Sequence, residues 1–69
     1  MSDKKVSNNI RALRFQNGEM TQADLAAQVG ATRQTINAIE AAKYAPSLEL
    51  AFKIANAFNE PIEQGFGYK

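Results

Sequence analysis

The segment ATRQTINAIE, residues 31 to 40, carries a dense set of hydrogen-bonding side chains. Only Ile36 and Ile39 are strongly apolar, and their spacing places them on one face of a helix. Arginine pairs with guanine edges, asparagine and glutamine pair with adenine edges, and a threonine methyl packs on the thymine methyl. The pattern therefore favours reading of base pairs in double-stranded DNA. The candidate contacts are Thr32, Arg33, Gln34, Thr35 and Asn37.

A solvated helix surface is the alternative interpretation of the same residues. Such a surface usually favours glutamate and lysine. The outer positions of this segment instead hold amides, hydroxyls and one arginine. This composition favours the DNA-reading interpretation without excluding the other.

Capping residues and a glycine define the elements that would position this segment. Thr21 is placed to cap a second helix, with Asp24 three residues later as the acid of a capping box. Gly30 accepts the left-handed turn conformation, and Thr32 is placed to cap a third helix. A turn this short makes the two helices cross, which predicts a helix-turn-helix unit at about residues 21–42. The second helix would bury Leu25, Ala26 and Val29.

The flanking segments also have helical periodicity. Val6, Ile10 and Leu13 recur at i, i+4 and i+7, which predicts one face of a first helix that Gly18 ends. Ser47 is placed to cap a fourth helix.

This fourth helix, LELAFKIANAF, is apolar around most of its circumference, so it should be central or lie at a subunit contact. Its predicted stripe contains Leu48, Ala51, Phe52, Ala55 and Phe58.

The C-terminal part is expected to add little regular structure. Pro61 suits the first position of a short fifth helical turn. The glycine-rich tail, residues 65–69, is compatible with a short strand. The predicted fold is all-α, with four to five short helices in one domain spanning residues 1–69.

Composition limits both stability and function. A chain of 69 residues without cysteine or histidine has no disulfide or ordinary zinc site to stabilise it, which leaves self-association as the expected aid. No phosphate-binding glycine loop or paired carboxylates are evident, so we expect no enzyme activity, no cofactor and no small-molecule ligand. With no apolar stretch long enough for a membrane span and no signal peptide, we expect no membrane association and a cytoplasmic protein.

Charge is a weak guide in this chain. The formal net charge is only +1, which by itself does not argue for nucleic acid. Most of the basic residues nevertheless fall in the first 43 positions, so one end of the molecule is expected to be basic. These are Lys4, Lys5, Arg11, Arg14, Arg33 and Lys43.

The order and spacing of TQADLAAQVGATRQTINAIE, with NNIRALRFQNG before it and KYAPSLELAFKIA after it, resemble the Cro/C1-type helix-turn-helix family. The resemblance covers about residues 7 to 64 and implies a lambda-repressor-like DNA-binding domain. Within this family, the chain is similar to the small stand-alone prokaryotic regulators. These proteins consist of little beyond the DNA-binding domain.

Site residues follow from this resemblance position by position. Gln22 matches a family glutamine that contacts a DNA phosphate and helps to orient the recognition helix. Lys43 matches a lysine placed for a second phosphate. Arg14 and Glu40 match a structural ion pair that ties helix one to the end of helix three. The alternatives are solvent exposure for Gln22 and Lys43, and a DNA-binding role for the ion-pair residues.

One departure from the family pattern concerns the end of the third helix. Ala41 and Ala42 stand where many relatives have an Asn-Gly pair, whose glycine accepts a left-handed backbone. Either the helix continues further, or Ala42 adopts that conformation at a cost of about 1 kcal/mol.

The function expected from these observations is sequence-specific binding of double-stranded DNA by a transcriptional regulator. A homodimer would place two recognition helices in the major groove of a palindromic operator. The alternative is an antitoxin or accessory module of the same fold that binds a protein partner through the fourth helix and the tail.

Overall fold

The computed structural model describes residues 5–68, so Lys4 and Lys69 lie outside the described residues. Within that part of the chain, five short helices pack together and a small two-stranded sheet joins the two ends. The helical fold with a C-terminal strand is thereby confirmed. In chain order the elements are β1 (Val6–Asn8), α1 (Ile10–Gln16), α2 (Gln22–Val29), α3 (Arg33–Glu40), α4 (Leu48–Ala57), α5 (Ile62–Gly65) and β2 (Phe66–Tyr68).

The predicted caps start the three central helices. The Thr21 hydroxyl accepts from the Asp24 backbone N–H at 3.0 Å, and the Asp24 carboxylate accepts from the Thr21 N–H at 3.2 Å. This is a complete capping box. The hydroxyls of Thr32 and Ser47 cap α3 and α4 in the same way, each accepting from the backbone N–H three residues later. Gly30 ends α2 with φ 71°, as predicted.

The prediction that Val6 belongs to the first helix is wrong. Val6 lies in β1 and pairs antiparallel with Tyr68, and α1 begins only at Ile10. The carboxamide of Asn8 accepts from the Ile10 N–H at 3.3 Å, which marks the change from strand to helix. The helical spacing of Val6 from Ile10 was misleading because the strand depends on a partner 62 residues away.

The core lies where α1, α2, α3 and α4 meet. Ile10, Leu25, Ile36, Ile39 and Ile54 are the largest fully buried side chains. Ala26 is also buried, as the close crossing of α2 and α3 requires.

The predicted apolar stripe of α4 is divided between core and surface. Ala51, Ala55 and Phe58 are buried, whereas Leu48 and Phe52 are exposed. The wide apolar circumference of this helix is therefore only partly used by the core. A smaller correction concerns Pro61, which is the N-cap of α5 instead of its first helical residue.

Candidate nucleic-acid interface

The two isoleucines of α3 fix which side of the helix faces outward. Ile36 and Ile39 are buried to 0% and 1% exposure in the core. The opposite side of α3 carries three exposed residues, Arg33, Gln34 and Asn37. Asn37 follows Arg33 by four positions and Gln34 by three, so the three side chains lie on one face. The segment thus presents a guanidinium and two amides on one surface of a helix that is anchored from behind.

The hydroxyls of Thr32 and Thr35 are engaged with each other at the start of α3. Thr32 Oγ1 accepts from the Thr35 backbone N–H at 3.1 Å and lies 2.9 Å from Thr35 Oγ1. Thr35 is also half-buried. The capping geometry therefore leaves less of Thr35 than of its neighbours available for an external contact.

Arg14 and Glu40 form a nearly enclosed ion pair. Arg14 Nε donates to Glu40 Oε2 at 2.7 Å, and Arg14 Nη2 donates to Glu40 Oε1 at 2.9 Å. The remaining guanidinium nitrogen, Nη1, donates to the Met20 carbonyl at 2.9 Å. Arg14 is 7% exposed. The hydrogen bond to Glu40 raises the pKa of Arg14, with burial opposing and the charge attraction adding to this shift.

Gln22 links this ion pair to the outer face of α3. Its Nε2 donates to Glu40 Oε1 at 3.2 Å, and its Oε1 accepts from Asn37 Nδ2 at 3.3 Å. An amide nitrogen carries two hydrogens, so Nε2 keeps a second donor beyond the bond to Glu40. The Gln22 amide can therefore hold α3 in place and still donate to a phosphate.

The link between Gln22 and Asn37 was missed at the sequence level. The two residues are 15 positions apart on different helices, and no local pattern signals their contact. The side chain of Asn8 was missed as well: its Nδ2 donates to the Ile39 carbonyl at 2.8 Å and so ties β1 to α3.

The candidate contact residues gather around a shallow depression. It is lined by Gln22, Arg33, Gln34 and Asn37, from the start of α2 and the outer face of α3. Among residues 5–68, the side chains of Arg33 and Gln34 have no hydrogen-bond partner. These polar groups are thus free for a ligand, while the amides of Gln22 and Asn37 are partly engaged within the protein.

Comparison with known proteins identifies this arrangement. A profile of the helix-turn-helix family matches residues 10–64. The chain belongs to the Cro/C1-type helix-turn-helix family of DNA-binding domains.

Relatives include an HTH-type transcriptional regulator of Methanocaldococcus jannaschii, 58% identical over 50 residues, covering 72% of this chain and 76% of the relative. The HTH-type transcriptional regulator YgzD of Bacillus subtilis is 44% identical over 61 residues. The match covers 88% of this chain and 91% of the relative. A Bacteroides fragilis crystal structure, provisionally described as a DNA-binding protein, has a TM-score of 0.79 at 27% identity, over 90% of this chain and 98% of that one.

In this helix-turn-helix domain, the end of α3 resolves the alternatives at Ala42. The helix does not continue, and Ala42 adopts φ 59°. The N–H of Ala42 donates to the Ile39 carbonyl and that of Lys43 to the Ala38 carbonyl, both at 3.0 Å. This is a Schellman motif with alanine where glycine is preferred. The exposed Lys43 side chain therefore projects from a fixed backbone directly after α3.

No helix within residues 5–68 is long and apolar enough to cross a lipid bilayer.

Proposed function

We propose that the protein is a sequence-specific DNA-binding transcriptional regulator that reads the major groove with the exposed face of α3. The observation that carries this proposal is the free guanidinium and amide of Arg33 and Gln34 on a helix anchored by two buried isoleucines. The relatives named as HTH-type transcriptional regulators support it. In this assignment Arg33 and Gln34 contact base edges.

Phosphate contacts would set the register of the domain on the duplex. We assign them to Lys43 and to the second hydrogen of the Gln22 amide. The charge balance supports this surface, because the one acidic residue of α3, Glu40, is paired with Arg14. Thr32, Thr35 and Asn37 complete the proposed interface.

A homodimer is the proposed binding unit. One domain offers few cationic contacts, so its affinity should be low and sensitive to salt. Two domains joined by a twofold axis would place two α3 helices in successive major-groove turns, about 34 Å apart, on a palindromic operator.

The proposed dimer surface is an apolar face at the side of α4. A depression there is lined mainly by apolar side chains, including Val6, Leu48, Ile62 and Tyr68. Phe52 follows Leu48 by one helical turn and extends the same face. We name this surface, comprising Val6, Leu48, Phe52, Ile62 and Tyr68, the apolar face.

A second copy of the chain suits the apolar face. A twofold interface requires a surface that complements itself, which an apolar surface does and a surface of one charge does not. Among the described residues, Glu63 is the one charged residue lining the depression, and the nearby Glu49 and Lys53 are paired with each other at 3.4 Å. Val6, Leu48, Phe52 and Tyr68 are 38%, 69%, 51% and 67% exposed, so the interface would be small, near the lower limit for a specific but weak dimer.

Selection of bound sites from a random DNA pool tests the DNA-reading assignment. Arg33→Ala should relax the preference at one position of each half-site, at a cost of about 1 to 3 kcal/mol for the preferred base. Lys53→Ala is the matched control, because it removes the same charge from α4 and should leave the selected sequence unchanged. An identical selected sequence for wild type and Arg33→Ala would contradict the assignment.

The alternative function is a protein-binding module, such as an antitoxin, that uses the apolar face for a different partner. Its specific support is the exposure of Leu48 and Phe52. Failure of the wild-type protein to enrich any sequence from the pool would favour this alternative.

A further inference from the structure

The side chain of Asn37 is held by a chain of hydrogen bonds whose direction is fixed at one end. The Glu40 carboxylate offers only acceptor oxygens. The Gln22 atom that lies 3.2 Å from Glu40 Oε1 must therefore be the amide nitrogen. Ion pairing with Arg14 keeps this carboxylate in place, so the direction of the Gln22 amide follows from the ion pair.

The orientation of the Gln22 amide in turn sets the orientation of the Asn37 amide on the outer face of α3. With its nitrogen turned to Glu40, Gln22 presents its carbonyl oxygen to Asn37, and that oxygen accepts from Asn37 Nδ2 at 3.3 Å. Asn37 Oδ1 is then directed away from Gln22. Among residues 5–68 it has no hydrogen-bond partner, although the residue is exposed beside Arg33 and Gln34.

A free asparagine amide would have no such preference. It could turn its oxygen to a base that donates, or its nitrogen to a base that accepts. In the major groove, adenine and cytosine carry an exocyclic amine that donates, whereas guanine and thymine offer carbonyl acceptors at the corresponding positions.

We propose that the hydrogen-bond chain from Glu40 through Gln22 makes Asn37 a specificity-determining residue that accepts from the exocyclic amine of adenine or cytosine. Gln22 is the positioning residue in this arrangement, because it sets which end of the Asn37 amide faces the groove. The inference rests on the proposed function, since it requires α3 to lie in the major groove.

Two substitutions separate contact from orientation. Asn37→Ala removes the contact and identifies the operator position that Asn37 reads, as the position whose base preference disappears. Gln22→Met keeps the length of the side chain and leaves both Arg14–Glu40 hydrogen bonds available, but it frees the Asn37 amide to turn. Gln28→Met is the matched control, because it makes the same substitution elsewhere on α2, where the side chain of Gln28 has only a 3.9 Å contact with the Met20 sulfur among residues 5–68.

Site selection with these proteins should give a pattern that separates contact from orientation. Wild type and Gln28→Met should select one base pair at the Asn37 position, and the adenine or cytosine of that pair carries the amine that is read. Gln22→Met should select that base pair less strictly, together with a uniform loss of affinity from its phosphate contact. Replacing the adenine or cytosine of that pair by its analogue without the amine should weaken wild-type binding about five- to tenfold. The analogue should not weaken Asn37→Ala further.

A measurement without DNA tests the orientation by itself. In the free protein, Gln22→Met should shift the NMR signals of the Asn37 side-chain amide protons, and Gln28→Met should leave them in place. Unchanged signals in Gln22→Met would overturn the proposed hydrogen-bond chain.

The other contradicting results separate this inference from the proposed function. Wild-type binding that the analogue without the amine does not weaken, or an unchanged preference in Gln22→Met, would overturn the inference. Asn37→Ala without effect at any position would do the same, and the assignment of Arg33 would still stand. Failure of wild type to select any sequence would instead overturn the proposed function.

Discussion

Left-handed backbone strain at single residues lowers the stability of this domain, and Ala42 is the clearest case. Its φ of 59° lies in the left-handed region, where a side chain beyond glycine costs about 1 to 2 kcal/mol. The Schellman hydrogen bonds of Ala42 and Lys43 keep the residue there. The sequence pointed to this position but left open whether the helix would continue past it.

Ala42→Gly should raise the free energy of unfolding by about 1 kcal/mol, because glycine relieves the left-handed strain and loses part of the gain to its own flexibility. Urea denaturation measures the change. Ala41→Gly is the control, since φ is −80° there and glycine has no strain to relieve. A stability gain that is as large in Ala41→Gly would show that strain at Ala42 is not the cause.

At the scale of elements, the ion pair between Arg14 and Glu40 joins α1 to the end of α3. Removing one partner leaves the other charge buried, with an expected loss of about 3 to 5 kcal/mol. Replacing both by apolar residues of similar size removes the unpaired charge. We therefore expect the pair to fix the position of α3 relative to α1 more than it adds net stability.

We expect Glu40→Leu and Arg14→Met each to destabilise the domain strongly, and the double variant to be more stable than either. Urea denaturation in the Ala42→Gly background would measure all three. Single effects that simply add in the double variant would mean that the two side chains are not energetically coupled.

Elements set by local chemistry were predictable from the sequence, and those set by distant partners were not. The Thr21, Thr32 and Ser47 caps depend on residues within three positions, so they could be read directly. β1 forms only because residues 66–68 pair with it, and the helical spacing of Val6 concealed this. At the candidate site, the outward face of α3 follows from its isoleucine spacing, whereas the Gln22–Asn37 bond depends on the packing of two helices.

For the whole molecule, the proposed homodimer follows from the small number of cationic contacts and from the apolar face. Phe52 and Phe15 provide a matched comparison, because both are 51% exposed and only Phe52 belongs to this face. A dimer near the lower limit of interface area should dissociate in the micromolar range.

Sedimentation at several protein concentrations should show a monomer–dimer equilibrium for wild type. Phe52→Gln should weaken the dimer at least tenfold, because each copy loses about 1 to 2 kcal/mol of apolar burial. Phe15→Gln should leave the equilibrium unchanged. A wild-type protein that is monomeric up to high micromolar concentration would contradict the proposal.

In the proposed function, two buried isoleucines hold α3 so that its polar face meets the DNA. Titration of the isotope-labelled protein with its selected operator, followed by NMR of the backbone and side-chain amides, tests this most directly. The largest changes should fall on Gln22, Arg33, Gln34, Asn37 and Lys43. Changes concentrated on α5 and β2, with α3 unaffected, would contradict this role of α3.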